Sequence, residues 1–263
     1  MSEILAAFPD ASVAGLQKVG RKTLYRTPDG DMNRCTTILD ALPKPFLVPW
    51  AANEERKACL LAAADLYAEG VDGGVGEFVA AIESRLGTAR AHQKALAQGG
   101  DIGTAAHEEI QRQTRIMLGL TAGPEPVIRD EAMVAVMAWQ DWWKGSGLRP
   151  FRCEQVVWDK GLMVAGTVDL LALDEGGRLG IVDYKTSKGI YDSHHIQVAA
   201  YAHMARNFAE IEWCQIVRIP KSLDDPAFEV KQLGVLYDRT LTEDQLMDVF
   251  RAAATVYRTL VEK

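Results

Sequence analysis

Apolar positions recur every three to four residues through much of the first half of the chain, the spacing of helices that bury one stripe. The pattern predicts helices over residues 50–69 and 77–120, the second interrupted at Gly99-Gly100-Asp101-Ile102-Gly103, where Thr104 is placed to cap a new start. A further helix is predicted over residues 127–144, with Met133, Val136, Met137 and Trp143 as its apolar stripe. Upstream, residues 23–31 read as a short strand entering a turn, flanked by the basic cluster Lys18, Arg21, Lys22 and Arg26, and residues 36–45 as a capped helical turn stopped by proline.

The texture changes after residue 148. Runs over 152–158, 162–173 and 179–184 are rich in β-branched residues and are separated by Asp159-Lys160-Gly161 and by Asp174-Glu175-Gly176-Gly177, which predicts a three-strand meander. A helix over 193–208, strands over 213–219 and 228–236 and a closing helix over 242–260 follow. The fold class is α/β, ordered helix, three-strand meander, helix, strand. A single domain is expected over 1–263, with a helical elaboration over 1–126 and the core over 127–263.

Composition adds limits. With 48% hydrophobic and 25% charged residues the chain can bury a large core. No apolar run is long enough to span a bilayer, and Met1-Ser2-Glu3-Ile4 lacks the basic stretch and apolar run of a secretory signal, so a cytoplasmic protein with no membrane partner is expected. Cys35, Cys59, Cys153 and Cys214 are scattered without a CxxC pair, which favours reduced thiols over a disulfide framework or zinc ribbon. A net charge of −7 argues against a protein that coats nucleic acid. It does not argue against an enzyme that gathers acidic groups around a cation, because the ion inverts the local sign.

Candidate chemistry concentrates in the meander. Asp169 lies in its second strand and Asp183 at the end of its third, so antiparallel pairing can bring the two carboxylates together. Such a pair suits Mg2+ or Mn2+, which take oxygen ligands and keep waters. Lys185 shares a strand face with Asp183, while Tyr184 points the other way into packing. An ammonium there can orient an attacking water and neutralise charge growing on a phosphate.

Gly166-Thr167-Val168-Asp169 followed by Ile181-Val182-Asp183-Tyr184-Lys185-Thr186 resembles the RecB-type exonuclease branch of the PD-(D/E)XK nuclease superfamily, whose core is restriction-endonuclease-like. That branch has a Gln-x-x-x-Tyr motif on the next helix, and Gln197 and Tyr201 stand there, one turn apart on one helix face. Gly103-Thr104-Ala105-Ala106-His107 is similar to its Gly-Thr-x-x-His element. The likeness runs from about residue 34 to 204, since Thr36-Thr37-Ile38-Leu39, Leu42-Pro43-Lys44-Pro45 and Trp50 resemble the opening of phage and bacterial members. It implies His107, Asp169, Asp183 and the Tyr184 carbonyl as metal ligands, Asp169, Asp183 and Lys185 as the catalytic set, and Gln197 and Tyr201 as DNA-binding. Relatives with an iron-sulfur cluster use a clustered C-terminal cysteine triplet, which this chain lacks, so none is expected.

An Asp-x-Lys triplet alone is common on solvated strands; four elements in the family's order outweigh that reading. His194 and His195 are expected at a solvated helix start, Glu154 as an exposed strand carboxylate outside the metal shell, and Trp139 and Trp143 in core packing. The activity implied is hydrolysis of DNA phosphodiesters from free ends, in recombination, repair or phage DNA processing, with a recombination partner protein as a possibility. An endonuclease of the same superfamily and a non-catalytic DNA-binding subunit stay open as alternatives.

Overall fold

The structure is a computed structural model and describes residues 8–10, 13–20, 22–71, 73–221, 224 and 227–262. Arg21 of the basic cluster and the first residues of the chain lie outside the described residues. The chain divides into two compact units, one of Met1–Leu42 with Ala105–Lys263 and the other of Pro43–Thr104.

The first unit holds an eight-stranded mixed sheet. Its strands are β1 (Gly15–Val19), β2 (Lys22–Thr27), β3 (Gly30–Arg34), β4 (Arg149–Asp159), β5 (Val164–Leu173), β6 (Leu179–Lys185), β7 (Trp213–Arg218) and β8 (Glu229–Gln232). The predicted meander is present as β4, β5 and β6, paired antiparallel in sequence. β7 joins β6 in parallel and β8 closes that side antiparallel, shorter than the predicted 228–236. The N-terminal region, read as a helical elaboration, also supplies β1 to β3, and only a strand over 23–31 was legible there. Gly15–Val19 carries Leu16 and Val19 at the surface, so it has no alternation of buried and exposed positions to announce a strand.

β4 pairs along β5 from Arg149↔Leu173 to Asp159↔Val164, so β3 and β6 must share the other edge of β5. β3 takes Val164 and Ala165 in parallel, and β6 takes Leu170 to Leu173. Residues 166–169 are left between them in a fork. Strands buried on both sides read as nearly continuous apolar runs, and β5 and β6 do so except at the residues of the candidate site.

Helices of this unit, in chain order with those of the second, are α1 (Cys35–Leu39), α2 (Leu47–Ala68), α3 (Val75–Leu86), α4 (Ala91–Met117), α5 (Asp130–Gly145), α6 (Asp192–Ala205) and α7 (Glu243–Val256), the last followed by a wider turn over Tyr257–Val261. α6 is buried over most of its length, and Ala199, Ala200, Ala202 and Ala205 let it approach the sheet, where it joins Ile181, Leu171, Ile216 and α7's Phe250 in the main core. α7 starts at a capping box: Gln245 N–H donates to Thr242 Oγ1 at 3.2 Å and Thr242 N–H to Gln245 Oε1 at 2.9 Å. On the other face of β6, Tyr184 meets the rings of Trp139 and Trp142 from α5.

Two helical expectations are corrected. The loop at residues 99–103 is instead the middle of α4, and Thr104 does not cap a start but donates its hydroxyl back to Gly100 O at 3.0 Å. Glycine in a helix costs roughly 1 kcal/mol against alanine, which strong helix-forming flanks on both sides outweigh. In α5 Met133 and Met137 are 42% and 58% exposed, while Ala132, Ala135, Val136, Trp139 and Trp142 form the buried stripe. The two indoles outrank the methionines because they bury more area, and the alanines mark close approach. Trp143 is half-buried and stacks on Trp139 with centroids 6.0 Å apart.

In the second unit α2 and α3 are joined by a bidentate pair from Arg85 to Glu69, with N–O distances of 2.9 and 2.7 Å. Among the described residues no helix is long and apolar enough to cross a membrane. The four cysteines are free thiols.

Candidate metal centre

The site begins where the β5–β6 ladder ends. Leu170 pairs with Val182, so the next residues on each strand, Asp169 and Asp183, face each other just past the last pair. With no ladder partner left, the Tyr184 N–H donates instead to Asp169 Oδ2 at 2.7 Å. Lys185 spends its carbonyl on Ile219 N–H, on the β7 side, at 2.8 Å. Backbone alternation therefore turns the Tyr184 carbonyl, like its N–H, toward the fork.

Lys185 Nζ stands 2.5 Å from Asp183 Oδ2. That oxygen is closed to solvent and accepts no aligned hydrogen bond, so the contact is an ion pair off the hydrogen-bond line. His107, on α4, brings Nδ1 to 4.0 Å from Asp169 Oδ2, and its ring lies edge-on to Tyr184. The structure thus gathers His107, Asp169, Asp183, Tyr184 and Lys185, all from the first unit, at one fork.

Electrostatics at the fork run against ionised carboxylates. Burial pushes Asp183, 1% exposed, up to about 6 despite the Lys185 ammonium beside it. Asp169 is also raised, by burial first. Burial and then Lys185 hold His107 down at about 4, so its imidazole is neutral near pH 7 and keeps a lone pair for a metal.

A divalent cation fits this set. Among the described residues no three His, Cys, Asp or Glu side chains close into a ready-made cage. Mg2+ needs none, because it keeps several waters and is held by one or two carboxylates. The buried Asp183 Oδ2, ion-paired to Lys185 but without an aligned hydrogen bond, is the kind of atom such an ion satisfies.

One pH dependence follows. A carboxyl whose folded value lies above its unfolded one favours the folded state most at low pH, and that contribution is lost as pH rises through the folded value. For Asp183 the loss runs from the ordinary carboxylate range through about 6. Mg2+ binds the ionised form, so the rise in unfolding temperature that it produces over chelator should be larger at about pH 8 than at about pH 5. Equal shifts at both values would contradict the assignment.

Gln197 and Tyr201 are placed differently from expectation. They are 9% and 5% exposed, and Gln197 Nε2 donates to the Tyr201 hydroxyl at 2.7 Å. Their burial leaves a DNA strand little to touch. The Tyr201 ring instead lies against Gly166, where a Cβ would sit 3.1 Å from Cδ1 and closer still to Cε1. This accounts for the glycine of Gly166-Thr167-Val168-Asp169. Thr167 is held in turn by the Tyr25 hydroxyl at 2.7 Å.

His195, expected at a solvated start, is buried, with Nδ1 accepting Gly234 N–H at 3.2 Å; His194 Nδ1 accepts Tyr191 N–H at 3.2 Å and caps α6. Trp139 and Trp142 are buried and support Tyr184 from behind. Glu154 corrects the reading most. It is half-buried beside Asp169 rather than exposed, and burial followed by the Asp169 charge pushes its carboxyl up to about 8.

Residues 77–262, well over half of the chain, match the sequence profile of the PD-(D/E)XK nuclease superfamily. No curated protein matches the chain significantly. A solved structure titled "Crystal structure of SSO0001" is similar at 14% identity with a TM-score of 0.29, over 47% of this chain and 58% of that one. The chain thus spans little more than half the length of that protein.

Proposed function

The chain belongs to the PD-(D/E)XK nuclease superfamily, and from that we propose that it is a metal-dependent deoxyribonuclease of the RecB-type branch, an exonuclease acting from DNA ends in recombination, repair or phage DNA processing. The observation that carries the reading is the meeting of Asp169, Asp183, Lys185 and His107 at the opening of the β5–β6 fork.

Asp169, Asp183, His107 and the Tyr184 carbonyl would hold Mg2+ or Mn2+. The bound ion supplies Lewis acidity and a more acidic water at neutral pH. Lys185 supplies a fixed ammonium that orients the attacking water and offsets charge developing on the scissile phosphate. His107 stays neutral and serves as a donor atom rather than as a proton source. The DNA-binding role assigned to Gln197 and Tyr201 becomes an indirect one: their bonded pair seats Gly166, and with it the strand that delivers Asp169.

Linear and covalently closed circular DNA distinguish the modes. With Mg2+, the protein is expected to shorten linear DNA from its ends and to leave the circle intact. Opening of the circle would make it an endonuclease, and DNA binding with no cleavage in Mg2+ or Mn2+ would overturn the enzymatic reading.

A further inference from the structure

Glu154 occupies the middle of β4 at the step opposite Asp169. Cys153 pairs with Leu170 and Gln155 with Val168, and the Glu154/Asp169 step between them drops out of the ladder. The reason is local: Glu154 has φ 52°, in the left-handed region that a residue with a Cβ seldom adopts. The nearby register shift between Pro150 and Arg152 already supplies an irregularity in β4 and does not require a second one. Such an outlier is retained where the surroundings gain from the re-aimed side chain.

The surroundings are acidic. Glu154, Asp169 and Asp183 lie in step on three successive strands, and the Asp169 charge acts on Glu154. Like charges placed opposite each other on a sheet are destabilising, and partial burial makes them more so. The Lys185 ammonium acts on both Asp169 and Asp183, and it is already engaged with Asp183. The second pointer to a ligand is Asp183 Oδ2, sealed from solvent and, apart from its ion pair with Lys185, without an aligned hydrogen bond.

We propose that Glu154 is a further member of the cation site, a third carboxylate delivered by β4 that takes the divalent ion directly or through one of its waters. The inference rests on the metal-dependent reading above. Its simpler rival is a strained structural carboxylate that only shapes the bulge.

Mn2+ alone is the probe, titrated into the 263-residue protein and followed by the electron paramagnetic resonance of the free ion, with unfolding temperature measured separately in chelator. Glu154→Gln is expected to weaken Mn2+ binding by about tenfold or more, to unfold in chelator no lower than wild type because an amide of the same shape never has to be ionised there, and Glu154→Asp to recover part of the affinity. Unchanged Mn2+ affinity in Glu154→Gln, with binding lost in Asp183→Asn, would overturn this inference and leave the metal site standing. A lower unfolding temperature in chelator with unchanged affinity would assign Glu154 to the structural role. Wild-type affinity in Asp183→Asn would instead overturn the metal-dependent reading, and this inference with it.

Discussion

Asp183→Asn protein should cleave DNA at least roughly a hundredfold to a thousandfold more slowly than wild type, and yet unfold in chelator at no lower a temperature. The two halves of this expectation come from one fact. Asp183 is 1% exposed, and burial raises its carboxyl even with Lys185 at 2.5 Å, so desolvation outweighs the ion pair. An amide of the same shape removes that cost. It leaves Lys185 the charge of Asp169, which Lys185 also acts upon, so the ammonium is not stranded. What the amide cannot do is hold a divalent ion. Cleavage kinetics and thermal unfolding on the same preparation check both halves. Cleavage at the wild-type rate would remove Asp183 from the site, and a large fall in unfolding temperature would make it structural.

Gly166→Ala should be the more damaging change for the fold. The new methyl would meet Tyr201 at Cδ1, Cζ and, closest, Cε1. Tyr201 has little freedom to withdraw, being buried with its hydroxyl held by Gln197. Overpacking of this kind costs about 1–3 kcal/mol. Gly166 also precedes Asp169 by three residues on β5, so a displaced strand misplaces the carboxylate, and a misplacement of about 1 Å can cost on the order of a hundredfold in rate. Denaturant unfolding and cleavage rate should therefore fall together. Truncating the ring in Gly166→Ala/Tyr201→Ala should destabilise less than the sum of the two single changes, because the clash is removed. Strict additivity would show that the two residues do not press on each other.

Much of the site was legible because strand periodicity is simple. Asp183 and Lys185 share a face by count alone, and Tyr184 falls on the opposite face, where Trp139 and Trp142 receive it. Glu154 falls opposite Asp169 by the same arithmetic, but strand alternation alone does not separate a half-buried carboxylate from the exposed one expected there. Asp159 pairs with Val164 across the hairpin, and five residues back from one and five forward from the other arrive at Glu154 and Asp169. Its positive φ has no sequence signal, since the residue is not a glycine.

Other features depended on tertiary contacts that local patterns do not carry. Gly99, Gly100 and Gly103 looked like a break, but the residues on both sides favour helix strongly enough to run through them, and His107 therefore stands within a long helix rather than at a start. Met133 and Met137 fit a helical stripe as well as Trp139 and Trp142 do. Which stripe turns inward depends on what it meets, and here Trp139 and Trp142 meet Tyr184 on β6. Gln197 and Tyr201 were correctly placed one turn apart, but a helix pattern cannot tell a pair facing DNA from a pair facing Gly166.

The most direct test uses end-labelled linear DNA with the chelator-stripped protein, in chelator and after addition of Mg2+ or Mn2+, with Lys185→Ala protein alongside. Cleavage that is absent in chelator, returns with either ion and stays absent in Lys185→Ala is the result expected of this site. Cleavage that persists in excess chelator, or that Lys185→Ala retains in full, would contradict it.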